Sequence, residues 1–344
     1  MSRDILFLGP RFKNDYNVGG VVILFEDLLT YSDKNKINYY CIDTNLSNYQ
    51  NRFLGLINIL FKIFTNITKV NHVSLHGTAS DFIFLAPFVI LFSKLFHKKV
   101  SLRKFAGSFY DVYLNANFVK KIIIKFVLTR SDFNFFETKL LIDKFQNFNN
   151  KTFWWPNSRL KSDKKISSNF RKKFVFISQV KATKGVFEII EASDHFDNSY
   201  TFDIYGPIMD DNFIDQVNRY KNVNYKGLLN PGDVLNQLFD YNVLLIPTYH
   251  EGEGYPGIVL EAFSIGMPII STYWKSIPEI VEHKKNGLLV PIKDVESLVK
   301  AIKKINQNNY QEFSSFIIDS FDKFDSEKVN FNFYNTIEYY TNAK

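Results

Sequence analysis

Short apolar runs alternate with longer stretches of helical apolar spacing from the start of the chain. Residues 5–8 predict a strand, and residues 21–29, after the Gly19-Gly20 pair, a helix. Residues 39–42 (strand), 53–64 (helix), 72–75 (strand), 83–96 (helix), 100–102 (strand), 119–128 (helix) and 134–136 (strand) continue the alternation. Repetition of this kind argues for a parallel sheet with helices on both faces. It breaks at Trp154-Trp155-Pro156-Asn157-Ser158 and the polar, lysine-rich stretch up to Lys173. A domain boundary is expected there, separating residues 1–156 from 157–326.

The alternation then resumes. Strands are expected at 174–177, 201–205, 224–226, 243–246, 268–271 and 288–290. Helices are expected from about Gly185, then near 258–264, 278–281, 295–305 and 310–321. Residues 329–340, rich in Phe, Tyr and Asn, read as a last helix that returns to the first domain, within a tail of about 327–344. Two α/β halves of this type place ligands at the carboxyl edges of their strands.

Composition narrows the class. With 344 residues, 46% hydrophobic and 22% charged, the chain suits two globular domains and not a disordered protein. Its net charge of +7 is uneven: residues 1–156 carry +9 and residues 157–344 carry −2. The single cysteine, Cys41, precludes an intramolecular disulfide or a multi-cysteine zinc site and fits a reducing cytoplasm. The start, MSRDILFLGP, lacks a basic n-region ahead of a long apolar run, so no signal peptide is expected. The most apolar run, 82–92, is interrupted by Pro87 and is shorter than the ~20 residues of a spanning helix. A cytoplasmic protein, soluble or peripheral at the membrane, is expected.

One segment concentrates candidate chemistry: Pro247-Thr-Tyr-His-Glu-Gly-Glu-Gly-Tyr-Pro-Gly-Ile-Val-Leu-Glu261, followed by Gly266-Met-Pro-Ile-Ile-Ser-Thr272. Gly252, Gly254 and Gly257 satisfy G-x-G-x-x-G. A dinucleotide fingerprint, however, follows its strand directly and is answered by an acid about 20 residues on. Here Pro247 to Glu251 intervene, and the next strand ends at Ser271-Thr272, so a nicotinamide or flavin reading is set aside. The remaining pattern is two carboxylates, Glu253 in the loop and Glu261 inside the helix. Between them a helix start at Gly257-Ile258 offers N–H groups and a positive dipole end to a phosphate. A carboxylate inside the helix suits ribose hydroxyls, and one on the loop suits hydroxyls of a sugar beyond the phosphates.

This segment resembles the E-x7-E region of retaining nucleotide-sugar glycosyltransferases of family 4 (glycosyl transferases group 1). Other pieces agree in order: Gly19-Gly20, Pro156-Asn157-Ser158, Lys184-Gly185-Val186, Tyr205-Gly206-Pro207, Pro278-Glu279-Ile280-Val281 and Asn286-Gly287-Leu288-Leu289-Val290. The likeness is ordered over residues 174–291 and weaker before them. It implies the GT-B fold, two Rossmann-like α/β domains facing a central cleft, with the donor held by the second. It further implies that Glu261 binds the donor ribose, Glu253 contacts the donor sugar and Lys184 neutralises the diphosphate. Gly19 and Gly20 would bring backbone N–H groups toward the phosphates, as would Gly254, Gly257 and Ile258. Fixed cations and backbone donors can stabilise a diphosphate leaving group. No Asp-x-Asp or clustered His/Asp spacing occurs, so neither metal nor cofactor is expected. The implied chemistry leaves the sugar on its original face, with the donor phosphate assisting deprotonation.

Two positions depart from the family. Where it usually has an arginine, five residues before the phosphate-site lysine, this chain has Gln179; Lys181 is the nearby candidate cation, but lacks bidentate geometry. The histidine that many members carry in the first domain is replaced by the run Leu102-Arg-Lys-Phe-Ala-Gly-Ser-Phe-Tyr-Asp111. Arg103, Lys104, Ser108 and Asp111 are therefore acceptor-side candidates. His76, at a strand end, is another, although a lone histidine there ordinarily serves structure. His250 adjoins the E-x7-E loop.

Residues 57–64, 83–96 and 119–128 interleave large apolar side chains with lysines. These read either as core-facing helices with solvated lysines or as a patch for an anionic leaflet. No nucleic-acid-binding pattern appears. The expected function is transfer of a hexose-type sugar from a nucleoside diphosphate to a glycan or lipid-linked acceptor, in bacterial surface polysaccharide synthesis. The alternatives are an epimerase-like enzyme and a nucleotide-sugar-binding protein without turnover.

Overall fold

The computed structural model describes residues 4–12 and 20–342, with side chains to residue 340. The chain divides into two compact units, Met1–Asn157 with Glu327–Lys344, and Ser158–Ser326. In the first, β1 (Ile5–Gly9), β2 (Tyr39–Asp43), β3 (His72–Gly77), β4 (Lys99–Lys104), β5 (Phe133–Phe136) and β6 (Thr152–Trp154) form one sheet. Its order is β2-β1-β3-β4-β5-β6, all parallel.

The period of two along β1 divides the core of this unit. Leu6 and Leu8 point to one face and Ile5 and Phe7 to the other. The first face is covered by helices Arg52–Asn66, Ala86–Leu95 and Phe118–Arg130, which pack side by side through Ile59, Ile63, Val89, Ile90, Ile124 and Val127. The second is covered by Gly20–Lys34 and the closing helix Ser326–Asn342, whose Val329, Phe333 and Ile337 are buried. Phe333 stacks on Trp155 with ring centroids 4.0 Å apart.

The single helix expected over 83–96 is two, Ala79–Phe84 and Ala86–Leu95. Pro87 lies in the first turn of the second; lacking an N–H, it opens a helix more readily than it continues one. Helices Phe109–Asn115, Lys139–Phe145, Phe213–Val217 and Val234–Leu238 are too short to show an apolar period and escaped the sequence reading. So did the three-residue edge strand β6.

The second unit holds β7 (Lys173–Ile177), β8 (Thr201–Tyr205), β9 (Val223–Gly227), β10 (Val243–Ile246), β11 (Ile269–Thr272) and β12 (Gly287–Val290). Its parallel order is β12-β11-β10-β7-β8-β9. β7 and β10 sit centrally, so the loops at their carboxyl ends, around Lys184 and Glu253, lie where open α/β sheets place ligands. Among the described residues no helix is long and apolar enough to cross a membrane.

Candidate functional site

After β10 the chain runs through residues 247–256 into helix Gly257–Ser264. The loop is pinned from neighbouring elements. Tyr249 donates its N–H to the Thr183 carbonyl at 2.8 Å, and the Trp274 indole donates to the His250 carbonyl at 2.8 Å. The Thr272 hydroxyl donates to the Thr248 carbonyl. A turn closed by Glu253 N–H on the His250 carbonyl, 3.1 Å, directs the Glu253 carboxylate inward. There it is 7% exposed and its Oε2 accepts from Lys184 Nζ at 2.6 Å and Thr248 Oγ1 at 2.8 Å.

Lys184 reaches this carboxylate because Gly185 follows it. Gly185 has φ +79°, and a Cβ there would collide with the Pro247 carbonyl oxygen. The close approach of the two loops therefore requires glycine. Both charged side chains are largely withdrawn from water, at 13% and 8% exposure for lysine and glutamate. Each depends on the other, since an unpaired buried charge is costly. His250 borders the pair, its Nδ1 3.2 Å from Thr183 Oγ1. Burial, then the Lys184 charge, pushes its pKa below the ordinary histidine value, which favours a neutral ring.

The second carboxylate is organised separately. Glu261 Oε1 accepts from Arg159 Nε at 2.9 Å, and Arg159 Nη1 donates to the Ser158 carbonyl at 2.9 Å. Gly257 and Ile258, both half-buried, open the helix, while Gly254 is buried in the loop. Pro256 at the N-cap provides no side-chain acceptor, so the helix's first N–H groups have no such cap. Lys181 is half-buried at the start of the turn that ends in Lys184, and Gln179 is exposed. Tyr255, buried, donates its hydroxyl to Glu279 Oε2 at 2.5 Å.

In the first unit Gly20 begins helix Gly20–Lys34 in open space, and Gly19 lies outside the described residues. Arg103 and Lys104, at the end of β4, are each only 2% exposed. The Arg103 guanidinium lies 3.8 Å from the Trp155 ring and 4.6 Å from Phe105, and donates to the Pro156 carbonyl. Lys104 donates to the Phe105 carbonyl. Burial lowers the Arg103 pKa to about 9 and that of Lys104 to about 8, with the Glu137 carboxylate opposing both shifts. His76 is fully buried among Phe7, Phe25, Phe105, Trp155 and Phe333, with Nε2 2.9 Å from Ser74 Oγ. Burial, then Arg103, drives its pKa well down. Ser108 and Asp111, half-buried, stand at the start of helix Phe109–Asn115.

The structure thus joins Lys184 to Glu253 and adds partners that sequence reading missed: Thr248, Thr183 and Arg159. Arg159 directly follows the Pro156-Asn157-Ser158 segment, which is the only sequence signal for it. Among the described residues no group of three or more His, Cys, Asp or Glu is arranged to hold a metal ion.

Residues 158–317 match the model of the family Glycosyl transferases group 1. A protein named for colanic acid biosynthesis, WcaL of Salmonella typhimurium, is 31% identical over 106 residues, which cover 28% of this chain and 26% of that protein. The chain thus spans about a quarter of the length of the first curated relatives it matches. An uncharacterized 41.2 kDa protein in the cps region of Klebsiella pneumoniae is 24% identical over 285 residues, covering 76% and 77% of the two chains. Among solved structures, Anabaena Alr3699/HepE in complex with UDP superposes with a TM-score of 0.76 at 13% identity, covering 98% of this chain and 100% of that one. At that identity the likeness is one of fold, the two-sheet α/β architecture known as GT-B. Residues 158–317 of this chain thus resemble a glycosyl transferases group 1 domain, on a fold of the GT-B type.

Proposed function

We propose that this protein is a retaining glycosyltransferase that moves a sugar from a nucleoside diphosphate sugar to a hydroxyl of a glycan or lipid-linked acceptor. The observation that carries the reading is the Lys184–Glu253 pair, held at 2.6 Å between the turn after β7 and the loop before helix Gly257–Ser264. A cation, a buried carboxylate and helix N–H groups at one sheet edge match what a diphosphate with a sugar attached requires. Glu253 takes sugar hydroxyls, Lys184 takes the diphosphate, and Glu261 takes the ribose. Gly254, Gly257 and Ile258 let the backbone approach the phosphates, with Lys181 beside them where Gln179 provides no charge. Charge developing on the leaving diphosphate is met by Lys184 and the helix N-terminus, so the reaction proceeds without a divalent metal or a cofactor.

Residues 157–326 serve the donor and residues 1–156 the acceptor, with Ser108 and Asp111 the accessible acceptor-side candidates, while Gly20 offers a backbone N–H to the donor phosphates. Arg103, Lys104 and His76 act from within the first sheet's core, shaping that side without direct exposure. The setting we propose is bacterial surface polysaccharide synthesis, in keeping with the colanic acid relative and with a UDP-glucose complex of the Anabaena neighbour.

The protein works at the inner face of the cytoplasmic membrane as a peripheral protein. Support comes from helices Arg52–Asn66, Ala86–Leu95 and Phe118–Arg130, which contain no Asp or Glu. Their outer sides expose Phe53, Phe61, Phe88, Leu91, Leu95, Phe118 and Ile122. Core-only helices would turn these positions inward.

A hydrolysis screen across nucleotide sugars tests the reading, since slow donor hydrolysis reveals both activity and donor. In Glu253→Gln, hydrolysis is expected to fall more than ~100-fold while nucleoside diphosphate affinity is kept or tightens, because Lys184 is released from its carboxylate. Wild-type protein that binds nucleotide sugars and turns over none would establish a binding protein instead.

A further inference from the structure

We infer that Arg159 is a positioning residue that sets recognition of the donor's ribose by holding the Glu261 carboxylate; the inference rests on the proposed role of Glu261. Arg159 is built in rigidly. Its N–H donates to the Phe324 carbonyl at 3.0 Å, and its own carbonyl accepts from Ser326 N–H at 3.0 Å. The side chain is 14% exposed, and its Nε holds Glu261 Oε1 at 2.9 Å while Nη1 is held by the Ser158 carbonyl. With two of its nitrogens fixed, the planar guanidinium dictates the plane of the carboxylate. An ionised carboxylate has about four acceptor sites, so Glu261, 23% exposed, can keep Arg159 and still accept two ribose hydroxyls.

Gly257 shows how closely this arrangement is fitted. A Cβ at that position would overlap Arg159 Nη2 and lie 3.4 Å from its Cζ. The guanidinium therefore fills the space over the first residue of helix Gly257–Ser264, beside the carboxylate one turn on. A cation at a helix N-terminus is placed against the dipole. Arg159 is thus held at this spot by Glu261 and the Ser158 carbonyl and not by the helix dipole.

Three variants and two ligands test this: wild type, Arg159→Met and Gly257→Ala, titrated calorimetrically with UDP and with 2′,3′-dideoxy-UDP. Wild type is expected to prefer UDP at least ~tenfold, through hydrogen bonds to a charged acceptor. Arg159→Met should bring that ratio to within ~threefold by weakening UDP binding and leaving the dideoxy ligand unchanged. Gly257→Ala displaces the guanidinium while both charged residues remain, and alanine favours a helix. Its thermal midpoint should hold or rise as its ratio falls toward that of Arg159→Met. Arg159→Met and Gly257→Ala that keep the wild-type ratio overturn the inference and leave the role of Glu261 intact. A wild type that binds both ligands equally overturns that role and the inference together, and the same pair of ligands is made with the base that the hydrolysis screen identifies.

Discussion

The lysines of helix Phe118–Arg130 offer the most direct test of membrane docking. Phe118, Ile122 and Lys125 fall at i, i+4 and i+7, one line along the helix, and all three are exposed, Phe118 at 78%. Lys120 is exposed beside them, and half-buried Lys121 has its Nζ 5.9 Å from the Tyr113 ring. Replacing Lys120, Lys121 and Lys125 by glutamine should cost about 1 kcal/mol per charge near an anionic surface. Three such losses, about 3 kcal/mol together, lower partitioning roughly 100-fold. Phe118→Ser should remove a further ~2 kcal/mol, since most of that ring is available to be buried in lipid. The assay is co-sedimentation with vesicles containing about one-third anionic lipid, at ~0.02 and ~0.5 M salt, because screening weakens the lysine contribution and spares that of Phe118. Lys164→Gln with Lys165→Gln, both exposed in the second unit, is the control and should bind as wild type does. The reasoning fails if the triple variant binds as tightly as wild type. It fails equally if wild type ignores anionic vesicles.

Burial of Lys104 makes stability depend on pH. Its pKa falls from 10.5 to about 8, so between those values the unfolded chain binds the proton that the folded protein has released. Stability should then rise with pH across that window, by about 3 kcal/mol in all, and Lys104→Met should lose the rise in urea unfolding followed from pH ~7 to ~10. Trp155→Ala removes a ring stacked 4.0 Å from Phe333 and 3.8 Å from the Arg103 guanidinium; a loss of ~3–5 kcal/mol in urea unfolding is expected, with earlier proteolysis of helix Ser326–Asn342. Gly206→Ala places a side chain at φ +134°, against the Ser178 carbonyl oxygen. Denaturant titration should show a cost of about 3 kcal/mol, and unchanged stability would mean the β8 turn is not as described.

Strands were legible because buried parallel strands read as short, nearly continuous apolar runs, as β7 and β10 do. The edge strand β6 escaped because its Phe153 and Trp154 run into Trp155-Pro156-Asn157, which reads as a break between domains. Among helices, the amphipathic Val295–Lys304 carries its buried Leu298, Val299 and Ile302 at helical spacing. Phe213–Val217 turns once and has no period to read. At the site, Glu253 in the loop and Glu261 in the helix after it stood out because glycines and carboxylates cluster within one stretch of sequence. Arg159 did not, since its meaning arises only where residue 159 meets 261, 102 positions on. Arg103 and Lys104 stood out as charges beside a strand end, where solvent is the ordinary surrounding. Their enclosure comes from Trp155, Phe105 and Phe109, whose rings accept the cations in place of water.

Lys184 with Glu253 and Arg159 with Glu261 form two ion pairs, each of zero net charge, beside the start of helix Gly257–Ser264. On the proposed reading, an incoming diphosphate meets the start of helix Gly257–Ser264, which has no side-chain cap, shares these paired cations and gains Lys181. Glu253 holds the largely buried Lys184 side chain oriented toward the loop. On the proposed reading, donor binding turns that lysine to the diphosphate and leaves Glu253 needing new donors in a nearly dry site. Sugar hydroxyls can supply them. A nucleotide carrying a sugar without the matching hydroxyl would leave the carboxylate with Thr248 alone, a cost of several kcal/mol for an under-satisfied buried charge. The free-state ion pair and donor selectivity then have one physical origin: a buried carboxylate that must always be partnered, first by the protein and then by the substrate.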